Sequence, residues 1–547
     1  MQLAARLGAS MAMLAAAAAV QGVVGVTPIA TLYVDQRAPE GGNGESWQGA
    51  FRDLQDALNK ATTIVPQGPT WKERLIEVRI AQGTYKPAGA GGDRDRCFGV
   101  LTSAPVLSLR GAFAGLGATD PDAQDFVSTA TVLSGDLNGD DGAGWTNRGD
   151  NSRTILRIET QMRGFLEIEG LTFEGAENTG MGWGSAVRLA VTNAFDAGPS
   201  ECRIKECVFT DNQTDGDGAG LLCWADSLTL INSRFLRNRS LHGKGGAASI
   251  NGYESRFSNI ENCLFQDNSA KFGGALFLGG RAWVFASRFY GNSAAIFGGG
   301  VYVTEDVDLN SVLLVGNSAA AAGGGVFSGG SAMLGISMTT FDGSMAPNGA
   351  DVGSAFAPVR MFASILWGSR FAPGGSAIDL GYGVFDSWIS GVIIQRGEDA
   401  IAYVPGTLTF ESPVVSEDPE FIRPAEAADE PALWDYRPRR GSPATGLARN
   451  MNGLLQDLGG VNFGCELAVS DRFDAGCYFI DSCVCWANLN ADWDGLVNDE
   501  DFELFVEAYN TMMTPAALPR ADLDRNGLVD DADFSLFAAA YDALLCD

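Results

Sequence analysis

One phrase of the sequence returns along the middle of the chain about every 25 residues. It joins an apolar residue, an Asn-Ser-Ala or similar turn, a glycine pair and a small apolar residue, as in CLFQDNSAKFGGAL at 263–276. A period of this size indicates a solenoid in which each repeat forms one coil. The apolar anchors are Phe209, Phe235, Phe265, Phe289, Leu314, Phe341 and Leu366. Three places after each anchor stand Asn212, Asn238, Asn268, Asn292, Asn317, Ser344 and Ser369.

The segments between these turns are short and flanked by glycine, as at Val301–Val303. They are too short for helices and are predicted to be strands. Stacked coils of short strands predict an all-β right-handed parallel β-helix, a pectin-lyase-like solenoid, with the anchors inside and the asparagines hydrogen-bonded along the stack. Glycine pairs such as Gly245-Gly246 are expected where the backbone needs positive φ or a close approach. We therefore assign these Asn and Gly residues to the scaffold.

The alternation of FxxN with GGA followed by an aliphatic residue resembles the repeats of chlamydial polymorphic outer-membrane proteins over residues 205–345. In that family the motifs lie on a β-helical passenger involved in adhesion. The resemblance therefore implies adhesion as one function. Those proteins end in a membrane β-barrel, whereas the end of this chain lacks a series of alternating ten-residue strands.

Both ends of a β-helix need covering. The N-terminal prediction is a strand at Leu32–Val34 and a capping helix that begins at Ser46 and buries Trp47, Phe51, Leu54 and Leu58. This start, and the phrases at 418–424, 435–448, 457–460 and 471–479, resemble the ends of secreted bacterial right-handed β-helix repeat proteins. The β-helix with its caps is predicted to span residues 31–482.

The first residues predict secretion. Arg6 precedes a long small-apolar run, which reads as a signal peptide within residues 1–30, with cleavage between Ala18 and Ala30. The alternative is an uncleaved membrane anchor. No later apolar run is long enough to span a membrane, so no span is expected in the mature chain. Ten cysteines fit an oxidising compartment, and their pairing stays open. The expected location is extracellular or at the cell surface.

The formal net charge of −30 excludes recognition of nucleic acid through clustered basic side chains. An acidic surface instead suits solubility and divalent cations.

A duplication at the C-terminus predicts calcium binding. Residues 490–509 and 522–541 repeat at an offset of 32, and each copy opens with a calcium-loop pattern built around one glycine. The predicted ligands are Asn490, Asp492, Asp494, the Leu496 carbonyl, Asp501, Asp522, Asp524, Asn526, the Leu528 carbonyl and Asp533. Unpaired carboxylates this dense would repel one another without a cation, and calcium takes several oxygen ligands. We expect two calcium ions.

After each loop, Phe502, Phe505 and Tyr509, and then Phe534, Phe537 and Tyr541, follow helical spacing. Two loop-helix units with Asp at the twelfth loop position resemble a dockerin module, in particular the GC-type with terminal cysteines. The resemblance assigns residues 483–547 to an EF-hand-like module and implies a cohesin-like or cell-surface protein partner. Asp499 and Glu500, then Asp531 and Ala532, match the partner-selecting positions and differ from the Ser/Thr pairs of cellulosomal dockerins. A disulfide from Cys546 to Cys483 or Cys485 is a further hypothesis.

Two weaker patterns remain. The acidic string SGDLNGDDG at 134–142 is predicted to be a loop, since the twelfth residue from Asp136 is Asn147. Asp215, Asp217, His242 and Lys244 fall in consecutive coils and are expected to line one groove, with Lys271 one coil later. They are the best candidates for a sugar site, and the first four are the candidate catalytic residues if the protein is an enzyme.

The sequence is compatible with three functions. The first is a secreted β-helix that binds or displays, with a polysaccharide or a surface as its ligand, held by the calcium module. The second is a polysaccharide lyase or glycosidase on the same scaffold, which would need carboxylates, or carboxylates with Arg or Lys, on one exposed face. The third is a structural spacer at the cell surface.

Overall fold

The computed structural model describes residues 27–424, except 66–73, 101–105, 161–164, 181–184, 192–200, 253–256, 382–385 and 413. Beyond residue 424 it describes 435–438, 442–444, 448–449, 472–473, 499–511, 521, 529–531, 533–535 and 537–538. Residues 1–26 of the predicted signal peptide, the cysteines at 483, 485 and 546, and most of the predicted calcium loops lie outside these residues.

Four parallel sheets, here called A to D, run along the chain. Sheet A contains Ala30–Val34, Leu75–Ala81, Val106–Phe113, Phe165–Glu169, Glu201–Lys205, Ser227–Ile231, Ser258–Glu261, Ala282–Phe285, Val307–Asn310, Leu334–Ser337, Val359–Phe362, Ser387–Ser390 and Leu408–Phe410. Sheet B contains Gly83–Tyr85, Thr131–Ser134, Leu171–Glu174, Val208–Thr210, Arg234–Leu236, Leu264–Gln266, Arg288–Tyr290, Leu313–Val315, Thr340–Asp342, Ile365–Trp367 and Ile393–Ile394. Sheet C contains Glu177–Asn178, Gln213–Thr214, Arg239–Ser240, Ser269–Phe272, Ser293–Phe297 and Ser318–Ala319. Sheet D contains Phe98–Val100, Leu156–Thr160, Val187–Val191, Leu221–Ala225, Ala248–Asn251, Leu276–Leu278, Val301–Val303, Val326–Ser328, Val352–Ser354, Ile378–Leu380 and Ile401–Ala402.

Each coil visits the sheets in the order A, B, C, D. One coil runs from Glu201–Lys205 through Val208–Thr210 and Gln213–Thr214 to Leu221–Ala225, and Ser227–Ile231 then returns to sheet A beside the starting strand. Crossovers between parallel strands of one sheet are right-handed almost without exception. The predicted right-handed parallel β-helix is confirmed.

The interior is a stack of aromatic rings along sheet B. The predicted anchors pair in register from coil to coil, as Phe209 does with Phe235 and Phe235 with Phe265. The ring centroids of successive phenylalanines from Phe173 to Phe289 lie 4.4 to 5.1 Å apart and nearly parallel. Phe173 therefore extends the stack one coil before the first anchor predicted from the repeat.

A ladder of asparagine side chains follows the turn after each anchor. The Oδ1 atom of Asn268 accepts from the backbone N–H of Asn238 at 2.9 Å and from its amide at 3.0 Å. Asn268 donates in the same way to Asn292, and also to the carbonyl of Phe235 at 2.9 Å. All of these amides are fully buried, so the ladder satisfies polar groups that the interior would otherwise leave unpaired.

The glycine pairs have the two roles expected of them. Gly245 has φ of 64°, in the left-handed region that favours glycine. At Gly246 a Cβ would collide with the carbonyl oxygens of Ser269 and Gly274 in the next coil. One glycine therefore makes the corner and the other lets successive coils approach.

The N-terminal cap differs from the prediction in its boundary. The helix α1 spans Leu54–Thr63 and buries Leu54 and Leu58, as expected. Its N-cap is Asp53, however, and Ser46 is not the cap, because the Ser46 hydroxyl accepts from Gly49 in a local turn. Phe51 precedes the helix and bridges to Val34 of sheet A.

After Phe410, Val415 still bridges to Ile393 in the parallel sense, and two short strand pairs that follow are antiparallel. Phe421–Arg423 pairs with Asp435–Pro438, and Ala448–Arg449 pairs with Arg472–Phe473. Tyr436 is buried and its hydroxyl donates to Asp342 Oδ2 at 2.5 Å, which fastens this segment to sheet B. The strand pair that contains Tyr436 therefore packs against the β-helix and covers it there.

Five described cysteines, Cys97, Cys202, Cys207, Cys223 and Cys263, are free thiols, and all but Cys97 are buried. Among the described residues, the structure has no helix with the length and apolar character needed to cross a bilayer.

Candidate functional site

The loop residues predicted to line a groove meet in pairs. His242 Nδ1 lies 3.3 Å from Asp215 Oδ1, and the His242 side chain is 78% exposed. Asp217 Oδ1 accepts from the backbone N–H of Lys244 at 2.8 Å. Consecutive coils therefore place the four residues together, as the repeat implies. Asp215 also accepts from the N–H of Gly180, so both aspartates brace neighbouring loops. Their catalytic role stays a prediction.

Lys244 belongs to a column of residues, each placed just before a glycine of positive φ. Parallel bridges join its members coil to coil from Lys244 through Phe272, Phe297 and Ala322 to Asn348. Asp217 precedes them, and its carboxylate accepts from the N–H of Lys244. Its polar start is thus followed, at the same position of the repeat, by two aromatic rings. Both rings are partly exposed.

A second aromatic column lies beside the first, on the outer face of sheet D. Phe277, Tyr302 and Phe327 occupy one register position in three successive strands. Their neighbours Leu276, Val301 and Val326 belong to the core, so these rings point outward. Together, Phe272, Phe297, Phe277, Tyr302 and Phe327 form what we call the aromatic stripe.

The rings of the stripe contact one another across the corner between sheets C and D. The ring centroids of Phe297 and Phe327 are 4.4 Å apart, and those of Tyr302 and Phe272 are 5.6 Å apart. Phe277 and Phe327 are largely covered, at 4% and 8% exposure, whereas the other three rings stay partly open. Gly329 gives Tyr302 its place, because a Cβ there would collide with the Tyr302 ring and hydroxyl.

Two lysines flank the start of the stripe. Lys244 Nζ lies 4.5 Å from the ring centroid of Phe277, and Lys271 Nζ lies 5.4 Å from that of Phe272. Within the described part of the chain neither ammonium group forms an ion pair. Ammonium groups over ring faces are favourable contacts, and they leave other donor directions of each nitrogen free for solvent or a ligand.

Charged groups on the first strands of sheet A form a different arrangement. Arg110 contacts Glu77 at 3.0 Å and Glu169 at 2.7 Å, and both carboxylates are buried. Gln124, from the loop that crosses this face, accepts from Arg110 at 2.9 Å. These carboxylates are paired under a loop, so they do not form the open acidic groove that an enzyme of the predicted kind requires.

Three carboxylates converge in the loop region predicted at 134–142. One oxygen each of Asp136, Asp140 and Asp150 lies within 4.8 Å of the others. Burial alone would raise the pKa of Asp136, but hydrogen bonds from the N–H groups of Gly139, Asp140 and Asp141 outweigh it and lower the pKa. Among the described residues, this group is the one arranged to hold a hard cation. Asp150 escapes the sequence pattern because it comes from a separate 3-10 turn, Arg148–Asp150.

The described residues of the C-terminal duplication pack as two helical segments. The helix α2 spans Asp499–Thr511, and the ring of its buried Phe505 stacks on Phe537 at 4.6 Å. The flanking contacts are near-symmetric, since Phe502 lies 6.1 Å from Phe537 and Phe505 lies 6.2 Å from Phe534. Equal spacing in both copies therefore produces a two-fold packing of rings.

Two of the predicted calcium ligands fall within these segments. Asp533 is fully buried and its Oδ2 accepts from the N–H of Asp530 at 2.9 Å, while Asp501 lies in α2. A buried carboxylate at the end of the loop fits a cation ligand. The other predicted ligands, Asn490, Asp492, Asp494, Leu496, Asp522, Asp524, Asn526 and Leu528, lie outside the described residues.

No protein-family model and no curated protein matches the chain. Among solved structures it is similar to the pectate lyase Pel9A, with 9% identity, a TM-score of 0.44 and coverage of 83% of this chain and 97% of that one. It is also similar to a rhamnogalacturonan lyase, with 14% identity, a TM-score of 0.34 and coverage of 66% and 87% respectively. Identities this low concern the fold alone. The strand pairing itself defines the class of protein, a right-handed parallel β-helix, and the stripe defines its candidate site.

Proposed function

We propose that this protein is a secreted β-helix that binds a polysaccharide along the aromatic stripe. The observation that carries the proposal is the stripe itself, five rings in two adjacent columns across three coils, of which Phe272, Phe297 and Tyr302 are partly exposed. Partly exposed apolar groups with a polar rim mark interaction sites on soluble proteins. Pyranose rings present flat C–H faces that pack on aromatic rings, while their hydroxyls need polar partners at the edge.

The geometry suits an extended chain rather than a single sugar. The rings follow the axis of the solenoid at the spacing of neighbouring strands, about 4.8 Å per coil. Lys244 and Lys271 at one end, and the Tyr302 hydroxyl within the stripe, supply hydrogen-bond donors beside the rings. A ligand with a repeating ring and hydroxyl edge matches both features.

Binding is favoured over catalysis by the contacts of the loop residues. Asp217 receives a backbone N–H, and Asp215 receives the N–H of Gly180 and contacts His242. Glycoside hydrolysis needs one carboxyl free to donate a proton and a second free to act on the sugar or on water. A lyase or glycosidase that uses these loop residues remains the second candidate function of the protein, and a spacer role is the third.

We further propose that the C-terminal module is a calcium-dependent docking unit that attaches the β-helix to a cohesin-like or cell-surface protein. Support comes from the duplicated calcium-loop pattern and from the symmetric packing of Phe502, Phe505, Phe534 and Phe537. The ion would supply the cross-link between loop oxygens that otherwise repel one another. Asp533 and the other predicted ligands would hold it.

The binding proposal is tested by electrophoresis of the full chain through gels that contain cellulose derivatives, xylan, mannan or pectin. At least one polysaccharide should slow the protein, and Tyr302→Ala should reduce that retardation. Tyr403→Ala, which removes another partly exposed tyrosine away from the stripe, should migrate like the parent. The absence of retardation in every gel, or equal retardation of the Tyr302 variant, would refute the proposal. Release of reducing ends or unsaturated uronates from the same polymers would establish the enzyme alternative.

A further inference from the structure

A row of unlike side chains crosses the outer face of sheet A at one register position. It consists of Asn259, Trp283, Asp308, Gly335, Arg360 and Trp388. The residues that follow them in each strand, such as Val284 and Leu309, belong to the core, so the row faces outward. It lies on a different sheet from the aromatic stripe and shares no residue with it.

Two aromatic rings form a platform at the start of the row. Phe257 and Trp283 stack with centroids 4.4 Å apart and planes at 10°, and both rings are partly exposed. Arg281 lies 5.7 Å from the Phe257 centroid and forms an ion pair with Asp306 at 3.2 Å. Asp306 also accepts from the N–H of Met333 at 2.9 Å, so the arginine is fixed beside the platform.

The carboxyl group of Asp308 lies beside the platform, and Gly335 in the next strand leaves the space that it occupies. A Cβ at position 335 would collide with Asp308 Oδ1, so Gly335 allows the carboxyl to lie across the next strand toward Arg360. Burial raises the pKa of Asp308, while a hydrogen bond from Trp283 and the charge of Arg360 oppose that rise.

Asp308 and Arg360 do not form an ion pair in the described part of the chain, although they flank the same glycine. An acceptor and a planar donor thus lie on either side of Gly335, next to a ring platform, and the charge of Arg360 still acts on Asp308. This is the set of groups that a neutral sugar uses. A C–H face packs on the indole, one hydroxyl donates to the carboxyl and another accepts from the guanidinium.

We propose that this row is a second carbohydrate-binding site, separate from the stripe, that takes a short neutral oligosaccharide. From Trp283 to Arg360 the row covers three strand steps, about 14 Å, which suits more than one sugar unit. A polyanion is disfavoured, because Asp308, Asp306 and the strongly acidic chain would repel it.

The test uses the full chain carrying Tyr302→Ala, so that binding at the stripe does not interfere. Cellohexaose, xylohexaose and mannohexaose are titrated by calorimetry, with hexagalacturonate as the anionic comparison. At least one neutral hexasaccharide should bind, and Arg360→Gln and Asp308→Asn should each weaken it about tenfold. Asp308→Asn keeps an oxygen that can accept from the Trp283 N–H, so the fold should stay intact. An unchanged thermal unfolding midpoint of this variant would show that it does.

Arg52→Gln provides the matched control, because Arg52 is an exposed arginine whose partner Glu40 is also exposed. It should leave the affinity unchanged. The proposal is overturned if none of the three neutral sugars binds, if hexagalacturonate binds more tightly than all of them, or if Arg360→Gln binds as the parent does. If Phe257 and Trp283 have only a structural role, Arg360→Gln should keep both the fold and the affinity of the parent.

Discussion

The hydroxyl of Ser369 donates a hydrogen bond to the carboxylate of Asp351, in the region where the asparagine ladder has given way to serines. Asp351 occupies the inward position that Gly325 holds one coil earlier. The Asp351 carbonyl accepts from the N–H of Val326, and the Gly325 carbonyl accepts from the N–H of Val301, the equivalent residue of the preceding coil. It is fully buried, and burial raises its pKa to about 7, although the hydrogen bond from Ser369 partly opposes the rise. A carboxyl group therefore fills the space that the missing amides leave.

Replacing Asp351 by Asn should remove a pH dependence of stability. The pKa of about 7 in the folded chain exceeds the ordinary unfolded value of about 3.9, so the folded state binds more protons between these limits. The stabilising contribution is complete below about pH 4 and is lost as the pH rises through about 7. Urea unfolding at about pH 5 and about pH 8 should show this loss in the parent alone, with Asp351→Asn more stable at the higher pH by on the order of 2 kcal/mol. Identical pH slopes would contradict the assignment.

Asn268→Ala should destabilise the β-helix by about 2–4 kcal/mol. The change removes the acceptor of two buried donors of Asn238 and the donor to the Phe235 carbonyl, so several buried groups lose their partners. The matched control is Asn262→Gly, which removes an exposed side-chain hydrogen bond to Asn232 and keeps a residue that tolerates φ of 49°. The control should cost less than about 0.5 kcal/mol. Equal losses in urea unfolding would mean that the ladder carries no special stability.

Gly329→Ala should weaken polysaccharide binding without removing any ring. The added methyl would collide with Tyr302 and turn its ring out of the stripe. Loss of one aligned ring contact should lower the affinity about fivefold in the gel assay. Gly89→Ala is the control, since nothing lies within 4 Å of the added carbon and its φ is not positive. Retardation equal to that of the parent would show that the position of Tyr302 does not matter.

Removal of calcium should loosen the C-terminal helices. If the duplicated loops bind ions, chelation leaves their carboxylates mutually repelling, and the near-ultraviolet circular dichroism from Phe505 and Phe537 should decrease. Calorimetric titration of the stripped full chain should give two sites, and Asp533→Asn should weaken one of them. An equivalent Asp140→Asn change reports any contribution from the loop at 134–142. An unchanged titration in the Asp533 variant would exclude its role as a ligand.

The interior of the β-helix could be predicted from the sequence because all coils share it. Phe235 can stack on Phe209 and Phe265 only if each coil brings a similar side chain to the same place, so the requirement appears as a repeat. The asparagines recur for the same reason, since each one needs the next as its partner. Periodicity therefore carries the fold class and the register of sheet B.

The outer sites leave a weaker signal. Trp283, Asp308 and Arg360 share a register position but no chemical type, because an outward side chain is not obliged to match the one above it. The stripe was equally hidden, although the residue before each glycine turn, such as Lys244 or Phe272, marks its first column. Ser46 failed as a cap because a local turn with Gly49 competes for its hydroxyl.

The corner between sheets C and D has an evolutionary consequence. Each coil contributes its own ring or rings to the stripe and makes its main contacts with the coils directly beside it. A tandem duplication of one coil, 24 or 25 codons long, would add a ring pair and a new asparagine while leaving every existing contact type intact. The length of ligand that the surface can accommodate would therefore change by one coil at a time. Unequal recombination within the gene is enough to add or remove such a coil.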